Sequence, residues 1–488
     1  MVTRFLGKTH HPAIGIRIPE IVLTGIGRAL KKHRTTTGLM LSFGRETAPL
    51  AFIRKTLEEI EITLGHTGTS IRQYQSMAAA LADELKIPLE VEADHLIVIG
   101  SSTAAAKRIA GVYAESPITP EQLEQSLAYN YAAIDEAIDT GAVTAFTTDT
   151  SDLFWLEADR LLEAEVLQLF ESKFSDVQRH GYQTRYVGKT FRFRNHRNEL
   201  VTLQLSESSM QRLALKFHAS LTENERLYGY IRRHLPRPFG FEISLDETQE
   251  KTTLEELFFY LNEWRTRGLP IDYVAPNLGF RKRTDFTASL AALEQVTGEM
   301  AAIADHYDGC LLSIHTGSGT TPYSGKGEGT YEALLRATKG KLKYKISGVY
   351  YELLMELCAE QPAKSPARLL YEEIYRNVLE YLTHAVETKG ALDSPLLREQ
   401  LAAYRDVVKQ DESRRLDPRA DFFRYYSYLG LAFRDDKNDR PFRCRLIELY
   451  EQDRALKGSI DREVEGLTER LIIGLRFEDN IPRESELR

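Results

Sequence analysis

Five short segments of this 488-residue chain bring together residue types that can do chemistry. They are Glu92-Ala93-Asp94-His95, Phe146-Thr147-Thr148-Asp149-Thr150-Ser151-Asp152, Phe241-Glu242-Ile243-Ser244-Leu245-Asp246-Glu247-Thr248, Ser313-Ile314-His315-Thr316-Gly317-Ser318-Gly319 and Lys345-Ile346-Ser347-Gly348. Imidazole and carboxylate ligate borderline divalent cations, and a catalytic metal keeps one position open. His95 and His315, converging with two or three carboxylates, would suit such a cation flanked by acid/base groups. A single histidine at a strand end is as readily a hydrogen-bonded, partly buried side chain. What favours a metal is the pair, each at an apolar strand end beside small or acidic residues. The Gly317-Ser318-Gly319 turn offers backbone N–H groups to a phosphate or carboxylate, with Lys345 as a neighbouring cation. The competing reading is turn geometry for the glycines and a solvated basic run, Lys339 to Lys345, for the lysine.

Each segment ends or overlaps a short β-type run, and eight such runs occur in the first 350 residues: Ile14 to Ile18, Leu39 to Phe43, Leu89 to Leu96, Val143 to Thr148, Phe239 to Leu245, Ile271 to Ala275, Leu311 to His315 and Tyr344 to Gly348. Most are continuously apolar, with helical patterns between them, which is how strands buried on both faces of a parallel sheet read. Eight strand-helix units predict a (β/α)8 TIM-type barrel over 1–352, and the C-terminal ends of its strands gather the five segments at one mouth. An open doubly wound sheet is the alternative, without a GxGxxG to support a dinucleotide version. About ninety residues separate the fourth run from the fifth. They predict an inserted lobe near the mouth at about 153–210, with a small hairpin suggested by Arg192-Phe193-Arg194. From 353 to 488 the pattern is helical, and Phe422, Phe423, Tyr425, Tyr426 and Tyr428 are expected in its core.

Composition narrows the classes of function. Lys plus Arg 63 against Asp plus Glu 71 gives a net charge of -8, no footprint for nucleic acid. The apolar runs are far shorter than the roughly 20 residues of a membrane span. Met1 opens onto polar residues without an apolar signal region, and three widely spaced cysteines offer neither a disulfide framework nor a zinc clip. The expectation is a cytoplasmic enzyme with a small-molecule substrate, its helical region packing on the barrel or on another copy as a homo-oligomer.

In order and spacing, the motifs from Glu92 to about Glu352 resemble those of the tagaturonate/fructuronate epimerases of hexuronate catabolism. The Asp94-His95 pair and the segment from Ser313 to Gly319 also look like metal-binding strands of class II sugar aldolases. The resemblance implies a divalent metal, with zinc, nickel, manganese and cobalt undistinguished, held by His95 and His315. It further implies Asp94 and Glu242 as opposing acid/bases, a sugar acid as substrate, and Asp149, Gly317, Ser318 and Lys345 as its binding residues. After the sixth strand, where a class II aldolase has another ligating histidine, the sequence reads Ala275-Pro276-Asn277-Leu278-Gly279. A third protein ligand is therefore unassigned.

The implied substrates constrain the chemistry. They differ at a hydroxyl-bearing carbon β to the ketone, whose C–H the carbonyl does not acidify, so simple deprotonation should fail. Retro-aldol cleavage to an enediolate and an aldehyde, followed by re-addition to the other face, would invert it. The metal would act as Lewis acid, with one acid/base on each side. A class II-type aldolase on a sugar acid or sugar phosphate is the second reading, and a non-catalytic binding barrel the third.

Overall fold

The structure, a computed structural model, describes residues 3–109 and 117–483. Eight parallel strands close a barrel: β1 (His11–Gly15), β2 (Gly38–Ser42), β3 (Glu90–Ile97), β4 (Ala145–Asp149), β7 (Gly240–Leu245), β8 (Tyr273–Pro276), β9 (Leu311–His315) and β10 (Lys343–Ile346). Their order round the barrel is β1-β10-β9-β8-β7-β4-β3-β2. All eight runs expected from the sequence are barrel strands. β9 coincides with its run, β2, β3, β7 and β10 start one residue away, and three are displaced further: β1 begins three residues before its apolar stretch, and β4 and β8 start two residues later, at Ala145 and Tyr273. Helices alternate with the strands and bury the outer faces, as where Trp264 stacks on Phe241 with ring centroids 5.6 Å apart. The helices start where the sequence supplies caps, such as Thr253 with Glu256 and Thr119 with Gln122.

Between β4 and β7 lies the extra chain, which carries an antiparallel hairpin of β5 (Phe191–Arg194) and β6 (Leu200–Leu203). Phe193 packs against Phe258 and His306, and Arg185 pairs with Glu263. The hairpin thus sits on the ring of outer helices. From Val349 onward every regular element among the described residues is helical. Phe422, Phe423, Tyr426 and Tyr428 are buried, and Tyr425 is half-buried.

This helical region also reaches the barrel mouth through three arginines. Arg424 donates to the Arg283 carbonyl at 3.0 Å and the Gly319 carbonyl at 2.7 Å. Arg440 donates to His66 O at 3.0 Å, and Arg443 to Thr67 O at 2.9 Å. Among the described residues no helix is long and apolar enough to cross a membrane.

Candidate active site

In a strand, consecutive side chains alternate between faces, so Glu90, Glu92 and Asp94 of β3 share the inward face, as do Lys343 and Lys345 of β10. They meet across the barrel. Lys343 Nζ lies 2.7 Å from Glu92 Oε2 and 3.2 Å from Glu242 Oε2. Lys345 Nζ lies 2.5 Å from Glu92 Oε1, 2.7 Å from Asp94 Oδ1 and 2.9 Å from Glu242 Oε1, and donates to Thr147 Oγ1 at 2.7 Å. A barrel interior is ordinarily apolar layers; here a lattice of buried ions runs through it, from Lys343 and Glu90 at the strand starts to Lys345 and Asp94 nearer the mouth. Burial alone would raise the carboxyl pKa values. The two ammonium groups outweigh it, holding Glu92 at about 2 and Glu242 well below the carboxylate range. Burial alone would lower both lysines, and the same carboxylates hold them raised.

Strict alternation would send His95 outward, away from Asp94. The β3–β4 register instead shifts between Ala93 and Leu96, and His95 adopts a left-handed backbone with φ 49°. Such a bulge re-aims a side chain, and a non-glycine residue held there costs on the order of 1 kcal/mol or more. His95 Nε2 consequently lies 3.8 Å from Asp94 Oδ1, with its Nδ1 3.6 Å from Asp149 Oδ2. Its ring meets that of His315 edge to face, with centroids 5.2 Å apart. His315, ending β9, uses Nε2 on Glu242 Oε1 at 2.8 Å and has Asp246 Oδ1 3.2 Å from Nδ1. Burial would depress its pKa, but Asp246 and Glu242 raise it to about 9.

A second shell of charge surrounds the histidines. Glu247 accepts from Arg45 Nη1 at 2.9 and 3.1 Å. Arg108 reaches Asp149 Oδ2 at 3.1 Å and pairs with Asp152. One ligand atom each from His95, Asp149 and Glu247 lie within 4.8 Å of one another, a spacing that could hold a cation. His95 Nδ1 is buried and makes no hydrogen bond of regular geometry among the described residues, whereas His315 Nδ1 faces Asp246.

Asp94, His95, His315, Gly317, Ser318 and Lys345 all line one cleft at this mouth. Asp149 and Glu242 do not; each is buried behind a histidine. Gly317 supplies a turn at φ 63°, and Ser318 Oγ donates to Glu352 at 2.9 Å. Beside it Lys326 donates to the carbonyls of Ser318, Arg281 and Thr284. Burial pulls Lys326 down to about 7.

Sequence reasoning gave no role to Glu92, Lys343, Glu247, Arg17, Arg45, Arg108 or Arg283. The two-residue period of Glu90, Glu92 and Asp94, matched by that of Lys343 and Lys345, was a usable signal for the ion lattice. The arginines lie in loops and a helix, and nothing local marks them.

Three comparisons bear on the whole. A family model described as UxaE, tagaturonate epimerase, matches residues 129–389, just over half of the chain. A tagaturonate/fructuronate epimerase of Thermotoga maritima is 27% identical over 242 residues, 49% of this chain and 45% of that relative, so the match spans less than half of the relative's length. The crystal structure of a fructuronate-tagaturonate epimerase UxaE from Cohnella laeviribosi, complexed with one glycerol, superposes with a TM-score of 0.66 at 19% identity, covering 97% of this chain and 83% of that one. The native form of the same protein gives 0.64. At that identity the likeness concerns the fold.

Proposed function

The chain belongs to the tagaturonate epimerase family, and from that premise we propose that it inverts a hydroxyl-bearing carbon of a keto sugar acid of the tagaturonate–fructuronate type, at a divalent metal in its barrel mouth. The observation that carries this reading is the meeting of the His95 and His315 rings beside acidic groups from three strands, Asp94 of β3, Asp149 of β4, and Glu242 and Asp246 in and just after β7.

The donor set fits a borderline cation. His95, Asp149 and Glu247 bring ligand atoms within 4.8 Å of one another and would hold it, with His315, whose ring meets that of His95, as a further ligand. When bound, a divalent ion would supply Lewis acidity toward the substrate oxygens.

The chain's own residues manage the protons. A base takes the proton of the β-hydroxyl, the adjacent carbon–carbon bond opens, and its electron pair passes into an enediolate. The hydroxyl carbon becomes an aldehyde carbonyl, turns, and is attacked again on its other face, while an acid returns a proton to its oxygen. One group is needed on each side. Asp94 lines the cleft on β3, and Glu242 stands across the barrel on β7, joined to His315. Both touch the Lys345 ammonium. A specific observation favours a second assignment for the far side: Asp246 lines the cleft and Glu242 does not. The deciding experiment is incubation of purified protein with tagaturonate and with fructuronate, with and without added zinc, nickel, manganese or cobalt. Interconversion by chromatography supports the reading; released aldehyde without epimer would favour an aldolase.

A further inference from the structure

On the reading just given the substrate carries a carboxylate, and the cleft must hold it. The Gly317 turn with Lys345 was the sequence-level candidate. Lys345 is already surrounded by Glu92, Asp94 and Glu242 at 2.5 to 2.9 Å and by Thr147. A further anion there would be set against Asp94.

Besides Lys345 and Arg45, three cations line the same cleft with donors to spare, Arg17, Arg283 and Lys282, and of these only the two arginines offer a planar fork. Arg17 follows β1 and is 8% exposed. Its Nε donates to Glu46 Oε1 at 2.7 Å, and Glu46 is pinned in turn by Ser347 Oγ and the Ser42 backbone N–H. Neither Nη group of Arg17 has a hydrogen-bond partner among the described residues. The guanidinium lies against Gly348, where a Cβ would come within 2.9 to 3.0 Å of Cζ and both Nη atoms. Gly348 itself has φ 81°, so glycine serves both the turn and the room for the arginine.

Arg283 approaches from the loop after β8. Its backbone is left-handed at φ 62° and its N–H donates to Ser318 O at 3.0 Å. The guanidinium stacks on Tyr425 at 4.3 Å, and Nε is 3.2 Å from Glu352 Oε1. Glu352 is shared with Ser318 and Arg424. The Arg283 Nη groups likewise find no hydrogen-bond partner among the described residues. Burial lowers the pKa of Arg283, and the Arg17 charge lowers it further. A bound anion would relieve that repulsion.

We propose that Arg17 and Arg283 form the seat of the substrate carboxylate, each offering its free Nη pair to the end of the molecule that does not react. A planar guanidinium matches a carboxylate in a two-point hydrogen bond. Here the Arg17 fork is held at Nε by Glu46 and that of Arg283 by its stack on Tyr425 beside Glu352, so little freedom remains to be lost on binding. The seat holds the aldehyde fragment by its tail while the carbon–carbon bond is open, because cleavage leaves the carboxylate on that fragment. It rests on the proposed activity only for the identity of the acid.

The test separates the two. Gluconate, a linear six-carbon carboxylate with no ketone, is titrated calorimetrically into the purified protein and its Arg17→Gln and Arg283→Gln variants; KM for the keto acid is measured in parallel. Both the gluconate dissociation constant and KM should rise by about 10- to 100-fold in each variant, with Arg17→Lys and Arg283→Lys in between. Weakened gluconate binding without epimerisation by the unsubstituted protein would keep the seat and remove the proposed activity. Unchanged gluconate affinity in both folded variants overturns the seat. Should a glutamine variant not fold, phenylglyoxal labelling of the unsubstituted protein reads the same contact. Protection of Arg17 and Arg283 by gluconate supports the seat, and equal labelling with and without gluconate overturns it.

Discussion

The His95 and His315 rings stand 5.2 Å apart, centroid to centroid, at an interplanar angle of 65°. Two imidazoles so placed can share one cation at about 2.0–2.1 Å from each nitrogen. Metal analysis of the purified protein should therefore find about one divalent ion per chain, lost in His95→Ala and in His315→Ala. Chelation should abolish turnover and readdition restore it. Asp149→Asn and Glu247→Gln should each release the ion as well, since both supply ligand atoms. Full metal content in both histidine variants would end this assignment.

Asp94 and Glu242 predict different penalties. Replacing either with its amide should cut turnover by about 10²–10⁴-fold if both are acid/bases. Glu242→Gln also removes a charge shared by Lys343, Lys345 and His315. It should lower stability by something like 3–5 kcal/mol, the cost of breaking a buried ion pair. Asp94→Asn, which removes a carboxylate only from Lys345 and the His95 neighbourhood, should cost less. Paired denaturant curves and rates check both. If Asp246→Asn abolishes turnover and Glu242→Gln leaves it, the far-side group is Asp246.

The isotope record distinguishes cleavage from deprotonation. In deuterium oxide the product should carry no deuterium at the inverted carbon, because the C–H there is never broken. Stoichiometric deuterium at that carbon, read by proton NMR, would refute the cleavage route and recast the carboxylates as carbon bases.

Acid stability follows from Glu46 and Glu92. Burial would raise both, but Arg17 and Ser347 hold Glu46 at about 2, and Lys343 and Lys345 hold Glu92 there. Their folded pKa values lie below the unfolded one, so this stabilisation is complete above about pH 4.5 and is lost as pH falls toward 2. At ~1.4 kcal/mol per pKa unit the ceiling is about 3 kcal/mol for each group. Urea unfolding at pH 7, 5 and 3 should show the drop only in the last step, and Glu46→Gln should make it shallower. Equal stability at pH 5 and 3 would contradict it.

The eight barrel strands were legible because strands covered on both faces leave runs such as Leu311 to Ile314. The histidines and Asp94 were legible as polar residues stranded at the ends of such runs. The bulge at His95 was not, since no glycine or proline marks it and the positive φ is imposed by the β3–β4 register. Nor were the anchors of Arg17 and Arg283 readable. Their partners Glu46 and Glu352 lie 29 and 69 positions away in sequence, and only closure of the barrel brings them near.

The three arginines that tie the helical region to the mouth also set an order of assembly. Arg440 meets the His66 carbonyl across 374 positions of sequence, and Arg424 meets that of Arg283 across 141. Chains emerge from the ribosome amino end first, and distant contacts form late. The eight strands can thus close while the loops above them still lack their ties. A nascent barrel without the helical region would be a scaffold with an unfinished mouth, completed only once Arg424, Arg440 and Arg443 have emerged.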